Sequence, residues 1–371
     1  MRKFASIATA TTLAASMLFV GTAAEANVTS IVGGGSSFAG GVLSVCRVDF
    51  NAVTSTAVNS QQVTFDAYST TGGSGTGRTN FANNTYDYGA ADAPYTAGTT
   101  PAAPADTVYV PLVGGPIAIV YNNTDFAGNS LRLDATTISR IFRGQITYWD
   151  NSQIKALNPG KTIGHNRIGV TYRSGSSGTT ENFVGWIKGA SASESANWTK
   201  SGDWTIATED SVVGTSKSSS SVLANDVDAT AYTIGYVDLK DAITQTAQVA
   251  MVKNGKGQYV LPTVASSGKF LARQTPASTG LVNFKYISGA VSGEYNLSLI
   301  TYGLGHKNKA SYVRSSSAAA DTLKTSRAVR DFFKYTISTC GAAKAPGLKY
   351  VNLTGALKTK ALAQAALIGS K

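Results

Sequence analysis

The sequence repeats one local pattern at residues 28–46, 63–81 and 168–187. Each copy has a β-branched apolar run and then a loop of small residues, mainly glycine, serine and threonine. Residues at helical spacing follow in the first and third copies, and a short segment around Phe81 follows in the second. A helix that begins in this way presents free backbone N–H groups and the positive end of its dipole. Because such units alternate strands with helices, they favour α/β domains in which the loops meet at the carboxyl ends of the strands.

The third copy adds an arginine directly before its loop. Arg173 can donate a charged pair of hydrogen bonds, and the hydroxyls of Ser177 and Thr179 can donate as well. Together with the free N–H groups at a helix start, these donors are typical of an anion site. Loops of this composition are often only flexible connections, so the loop alone leaves both interpretations open.

An acidic residue lies between the second and third copies. Asp92 occurs in a stretch of small and apolar residues, 86–94, that ends in a proline. A single aspartate in this position most often caps a helix or closes a turn. Beside three loops rich in donors, it can instead act as the acceptor in an otherwise donating pocket.

Residues 1–26 are predicted to be a secretory signal peptide. Arg2 and Lys3 form a basic start, an apolar stretch follows, and the motif Ala-Glu-Ala ends at Ala26. We therefore expect cleavage near Ala26 and a periplasmic or secreted mature chain. The alternative is an ordinary apolar N-terminal helix.

Two cysteines, Cys46 and Cys340, lie near opposite ends of the chain. With two histidines, His165 and His306, they offer too few ligands for an evident metal site, and no cofactor is expected. In an exported chain we predict a disulfide bond between the two cysteines.

The chain carries 32 basic and 21 acidic residues, a formal net charge of +11. A positive net charge of this size is compatible with three kinds of partner: nucleic acid, an anionic surface or an anionic ligand. The basic residues are dispersed singly, as at 253–256 and 358–360, and form no long run interleaved with aromatic residues. Nucleic acid is therefore not an expected partner.

The glycine-rich loops match none of three common nucleotide-binding or catalytic motifs. The Gly160–Thr162 stretch has Lys155 where a P-loop needs its first glycine. The loops at 72–76 and 175–179 lack the Gly-x-Ser-x-Gly spacing of a nucleophile elbow, and 33–38 lacks a dinucleotide fingerprint. We therefore expect no catalytic residues and no enzymatic activity.

Six short motifs follow one another between residues 28 and 302. They are GGGSSF at 33–38, GSGTG at 73–77, DYGAADAP at 87–94, IFRGQITYWD at 141–150, RSGSSGTT at 173–180 and IGYV at 234–237. In this order they resemble the PstS-type periplasmic phosphate-binding proteins, the substrate-binding components of phosphate ABC transporters. The C-terminal region resembles that family only weakly.

The resemblance implies two α/β lobes joined by a hinge, with the ligand enclosed in the cleft between them. The run at 108–121 is predicted as two strands with a bend at Gly114 and Gly115, which would be the crossover between the lobes. The strand pattern at 295–302 would carry the chain back. The expected lobes are 27–112 together with 296–371, and 113–295.

Transferred position by position, the resemblance implies eight phosphate contacts, with Phe38 contributing its backbone N–H. They are Ser37, Phe38, Ser74, Asp92, Arg173, Ser177, Gly178 and Thr179. Phosphate keeps a proton near neutral pH whereas sulfate does not. Asp92 can accept a hydrogen bond from the anion that retains a proton and would repel a fully ionised anion, so we hypothesise that Asp92 selects phosphate.

The chain departs from the family pattern at two positions. Gly175 stands where relatives commonly have an aspartate that restrains the arginine, which leaves the orientation of Arg173 open. Ala39 stands where they usually have a proline. Neither change removes a donor from the predicted contacts.

The predicted function is binding of inorganic phosphate outside the cytoplasm and delivery to an ABC transporter permease in the inner membrane, by a monomeric chain. One alternative is a binder of another tetrahedral oxyanion. Another is a secreted phosphate-site protein that acts as a phosphatase or as a surface interaction protein.

Overall fold

A computed structural model describes residues 29–53, 63–96, 100–204, 214–314 and 318–371. The predicted signal peptide lies outside these residues. The strands are β1 Thr29–Ile31, β2 Gly33–Gly35, β3 Val63–Phe65, β4 Tyr88–Ala91, β5 Thr107–Tyr121, β6 Arg132–Leu133, β7 Gly169–Arg173, β8 Thr215–Lys217, β9 Thr233–Asp238, β10 Gln248–Val249, β11 Met251–Lys253, β12 Tyr259–Val260 and β13 Ser298–His306.

The α-helices alternate with these strands, as the recurring pattern predicted. They are α1 Gly40–Val53, α2 Gly73–Ala82, α3 Ala135–Phe142, α4 Ser152–Leu157, α5 Gly178–Ala190, α6 Ser220–Ala229, α7 Leu239–Thr244, α8 Val264–Ala272, α9 Ala319–Tyr335, α10 Gly341–Lys344 and α11 Gly355–Ala366. The mixed α/β class predicted from the sequence is confirmed.

The main sheet has the strand order β2-β4-β13-β5-β9-β7-β8. The long strand β5 connects its two halves, because it pairs with β13 as far as Pro116 and with β9 from Ile117 onward. Parallel pairing joins β2 to β4 in one half and β7 to β9 in the other. The carboxyl ends of β2 and β7 lead into the first and third small-residue loops, and that of β4 leads to Asp92. The second loop follows β3, which pairs with β1 in a separate two-stranded sheet.

The prediction of two separate strands within 108–121 is wrong, since β5 is one continuous strand. Gly114 and Gly115 instead allow close packing. A Cβ atom on Gly114 would lie 2.4 Å from Cδ1 of Leu271, and one on Gly115 would lie 2.8 Å from Cζ of Phe38. The glycine pair therefore makes room for side chains on the sheet, and a pair of small residues in an apolar run does not distinguish this from a turn.

Buried apolar side chains cover the main sheet on both faces, as expected where helices flank a largely buried sheet. At the C-terminal end, Cys340 forms a disulfide bond with Cys46 of α1, the pair predicted from the sequence. Because the two residues are 294 positions apart, the bond ties the C-terminal helices to the start of the fold. In the described part of the chain, no helix has the length and apolarity that crossing a membrane requires.

Candidate functional site

Asp92 directly follows β4 and is almost fully buried. Its carboxylate accepts three hydroxyl hydrogen bonds, from Ser36 (2.5 Å to Oδ1), Thr301 (2.6 Å to Oδ1) and Ser74 (3.0 Å to Oδ2). These hydroxyls come from the loop before α1, from β13 and from the start of α2. One carboxylate therefore connects three elements that are distant in sequence.

Burial raises the pKa of Asp92, while the hydroxyl hydrogen bonds and the positive charge of Arg78 oppose the increase. Because the pKa of Asp92 is raised on balance, desolvation outweighs the hydrogen bonds that its carboxylate already accepts. A buried carboxylate in this state favours a partner that brings either positive charge or a proton.

Ser74 is held in place by the backbone around it. Its loop turns through Gly72 and Gly73, which have φ values of +72° and +64°, a region that glycine adopts without steric cost. The Ser74 hydroxyl also accepts a hydrogen bond from the Asp92 backbone N–H at 3.1 Å. Ser74 and Asp92 therefore orient each other through two hydrogen bonds.

The first loop brings Ser36 to Asp92, next to the predicted Ser37, whose side chain is half-buried. The Ser36 hydroxyl also accepts from the N–H of Ala39 at 3.0 Å, near the start of α1. Phe38 is anchored by Tyr350, which packs edge-on against its ring and donates a hydrogen bond to its carbonyl at 2.6 Å. The backbone around Phe38 is thus fixed beside Asp92.

The third loop begins α5, with Ser177 as the N-cap residue accepting from the N–H of Thr180. Gly178 lies directly against the other two loops. A Cβ atom on Gly178 would be 2.3 Å from Oγ of Ser74 and 2.5 Å from Oδ2 of Asp92. Such an approach is open only to glycine, so the N-terminus of α5 is in contact with the Asp92 carboxylate.

Further contacts hold α5 to the first two loops. The amide of Asn182 donates to the carbonyl of Asp92 at 2.7 Å, and the N–H of Gly75 donates to the carbonyl of Ser176 at 3.2 Å. The structure therefore brings the three loops together at one point.

Thr179 is buried and donates its hydroxyl proton to Oδ1 of Asp238 at 3.0 Å. Asp238 was not predicted as a site residue, although it directly follows the IGYV motif at 234–237. Ser36 and Thr301 were also missed. Ser36 could have been considered because it shares a loop with Ser37, whereas Thr301 lies in a strand whose pairing with β4 no local pattern reveals.

Arg173 ends β7 and is buried. Its guanidinium donates to the hydroxyl of Ser220 at 2.9 Å and to the carbonyl of Ser218 at 3.3 Å. Its Nε is also buried, and no described residue accepts a hydrogen bond from it. Gly175 has φ +71°, a conformation in which a side chain is strained. The Arg173 guanidinium is instead held by Ser218, before α6, and by Ser220, the first residue of α6.

The described residues contain no group of three or more histidine, cysteine, aspartate or glutamate side chains that could hold a metal ion. The cluster instead combines helix N-termini and hydroxyls with one central carboxylate, and the charge of Arg173 acts on Asp238, which binds Thr179. Such a set can hold an anion that itself offers a proton.

The sequence matches the family model of the PBP superfamily domain over residues 20–339. The chain belongs to this superfamily. Among curated proteins, phosphate-binding protein PstS 3 of Mycobacterium tuberculosis is 40% identical over 126 residues, which are 33% of this chain and 34% of that protein. PstS 2 of the same species is 32% identical over 241 residues, 62% of this chain and 63% of the relative.

The aligned segments thus span about a third to under two thirds of these two relatives. Among solved structures, the periplasmic phosphate-binding protein PfluDING has a TM-score of 0.65 at 21% identity, covering 90% of this chain and 93% of that chain. An ABC-type phosphate transport receptor from Vibrio cholerae has a TM-score of 0.53 at 16% identity, and the match covers 86% of this chain and 99% of that receptor. The predicted resemblance to PstS-type proteins and the two-lobed periplasmic-binding-protein fold are confirmed.

Proposed function

We propose that this PBP-superfamily chain binds inorganic phosphate at Asp92 and delivers it to the permease of an ABC transporter in the inner membrane. The proposal includes an exported, monomeric protein without catalytic activity. The observation that carries it is the placement of one buried acceptor, Asp92, among the N-termini of α1, α2 and α5. The names of the relatives, which are phosphate-binding proteins, agree with this chemistry.

A buried carboxylate beside an anion is unfavourable unless a proton lies between them. Monohydrogen phosphate offers that proton to Asp92 and leaves its remaining oxygens for the surrounding donors. Sulfate has no proton near neutral pH, so its oxygens and Asp92 would repel each other. Each hydrogen bond to a charged group contributes about 1.5–3 kcal/mol. The loss of one such bond is therefore enough to make sulfate bind more weakly than phosphate.

In this proposal the anion contacts the hydroxyls of Ser37, Ser74, Ser177 and Thr179, the N–H groups of Phe38 and Gly178, and the guanidinium of Arg173. The single hydroxyl protons of Ser74 and Thr179 are donated to Asp92 and Asp238, so each must turn away from that carboxylate to donate to the anion. Arg173 already donates to Ser218 and Ser220. Its buried Nε has no acceptor among the described residues, and in this proposal it is the atom that donates to the anion. Arg173 would therefore add positive charge and one donor from a restrained position.

We further propose that the two lobes are 27–112 with 296–371, and 113–295, and that they close on the ligand. Under this division, α2 and Asp92 belong to the first lobe and α5 to the second. The hydrogen bond from Asn182 to the Asp92 carbonyl would then be a contact between lobes. Such contacts support a closed arrangement around the site.

Calorimetric titration of the purified mature chain with phosphate, sulfate and arsenate tests the proposal. We expect phosphate to bind, arsenate to bind as a close mimic, and sulfate to bind at least about 100-fold more weakly. Absence of phosphate binding would overturn the proposal. Equal binding of sulfate would favour a general oxyanion binder, and turnover of a phosphate ester that is lost in Ser74→Ala would favour a phosphatase.

A further inference from the structure

A second buried carboxylate, Asp238, lies beside the site. It ends β9 and precedes α7, a position in which aspartate commonly caps the helix. Within the described chain its side chain makes no capping hydrogen bond to α7. It accepts the hydroxyl proton of Thr179 at the start of α5 instead.

Charged groups on several elements face Asp238. Arg173 of β7 acts on it with a favourable charge, while Asp92 and Asp241 act with unfavourable ones. The phenol of Tyr350, near the C-terminus, is also within its electrostatic reach. Lys240 of α7 attracts the neighbouring Asp241 rather than Asp238.

We propose that Asp238 controls whether Thr179 can donate to the bound anion, and so determines how anion affinity depends on pH. This inference rests on the proposed phosphate site. The hydroxyl of Thr179 has a single proton. When Asp238 is ionised, it takes that proton and leaves only the Thr179 oxygen, an acceptor, for other partners.

When Asp238 is protonated, its O–H donates to the oxygen of Thr179. The Thr179 proton is then free to donate to the oxyanion. Protonation of Asp238 thus adds one donor to the site and removes one negative charge next to Arg173. Both effects strengthen the binding of an anion, so one proton is taken up by Asp238 as the anion binds.

The change falls in the neutral range. Burial, followed by the negative charge of Asp241, raises the pKa of Asp238 to about 7, against the opposing charge of Arg173. Burial also raises the pKa of Asp241. Affinity should therefore be highest below neutral pH and fall as pH rises through about 7.

The test compares phosphate dissociation constants of the wild type and Asp238→Asn from about pH 6 to about pH 8.5. Asparagine can donate permanently to Thr179 and carries no charge. If only the protonated form binds well, Asp238→Asn should bind about 30-fold more tightly than the wild type at the upper pH and about equally at the lower. Using the ratio of the two proteins removes the ionisation of phosphate itself, which affects both alike.

Thr179→Val provides the second arm, because it removes the hydroxyl for which Asp238 competes. When Thr179 is already valine, Asp238→Asn should therefore increase phosphate affinity at high pH much less than it does when Thr179 is present. Asp331→Asn, which removes a charge paired with Arg330, should leave the pH profile unchanged.

A ratio that does not vary with pH, or an Asp238→Asn effect that is undiminished in Thr179→Val, would overturn the role of Asp238. In either case phosphate still binds, so the proposed function stands. Failure of the wild type to bind phosphate at every pH would reject both, and the two failures are thus distinguishable.

Discussion

Arg78 of α2 and Glu181 of α5 form a buried ion pair, with Nη1 3.3 Å from Oε2. The two side chains are 9% and 3% exposed. They lie on the same two helices whose N-termini bring Ser74 and Gly178 together. Burial raises the pKa of Glu181, and the charges of Arg78 and Lys200 oppose this increase.

We predict that Arg78→Ala lowers the free energy of unfolding by about 3–5 kcal/mol, because it leaves Glu181 buried without its partner. Urea denaturation measures this change. Arg330→Ala is the control, since Arg330 pairs with Asp331 near the surface and its loss should cost less than about 1 kcal/mol. If the Arg78→Ala and Glu181→Ala effects simply add in the double variant, the pair is not coupled.

Asp92→Asn should weaken phosphate binding about tenfold to a hundredfold and strengthen sulfate binding. The amide offers donors to a fully ionised anion and no longer repels it, which reverses the selection that we assign to the carboxylate. Competition calorimetry with the two anions measures the ratio. An unchanged ratio of the two affinities would show that Asp92 is not the selecting group.

Gly178→Ala should reduce phosphate affinity about 100-fold or more. The new Cβ would lie within 2.5 Å of the Asp92 carboxylate and would separate α5 from α2. Gly175→Ala is a matched control from the same loop, where no described atom lies within 4 Å of the added Cβ. It should lower stability by about 1 kcal/mol through backbone strain and retain most of the affinity. Equal losses of affinity would argue against the close contact.

The contribution of Asp238 to the stability of the ligand-free protein should fall as pH rises from about 4 to about 7. The pKa of Asp238 is about 7 in the folded chain, above its ordinary value of 3.8, so the folded state holds the proton that the unfolded state has lost. This stabilising contribution is complete below the ordinary pKa and is lost as pH approaches the raised one. Thermal unfolding at a series of pH values should show a shallower decline for Asp238→Asn than for the wild type.

Sequence patterns were reliable where local spacing decides the structure. The helical spacing within 28–46 and 168–187 predicted α1 and α5, and the runs before each small-residue loop predicted strands. They failed at Gly114 and Gly115, where glycine serves packing against Leu271 and Phe38. The difference lies in neighbours that are far away in sequence, which local spacing does not encode.

The same division holds for the site. Ser74, Asp92, Gly178 and Thr179 stand in motifs, and the structure places them around one point. Their assignment as phosphate contacts remains a prediction for the titrations to test. Thr301 and Asp238 carry no motif of their own, and their contacts depend on strand pairing and on where β9 ends.

By itself, the sequence determined the kind of chemistry: three small-residue loops at helix starts supply donors, and Asp92 supplies an acceptor. Tertiary structure decided the connections among them. Pairing of β4 with β13 puts Thr301 on Asp92, and the missing side chain of Gly178 lets α5 reach α2. The physical reason is that hydrogen-bonding capacity belongs to a residue, whereas burial, distance and protonation depend on what the rest of the chain places around it.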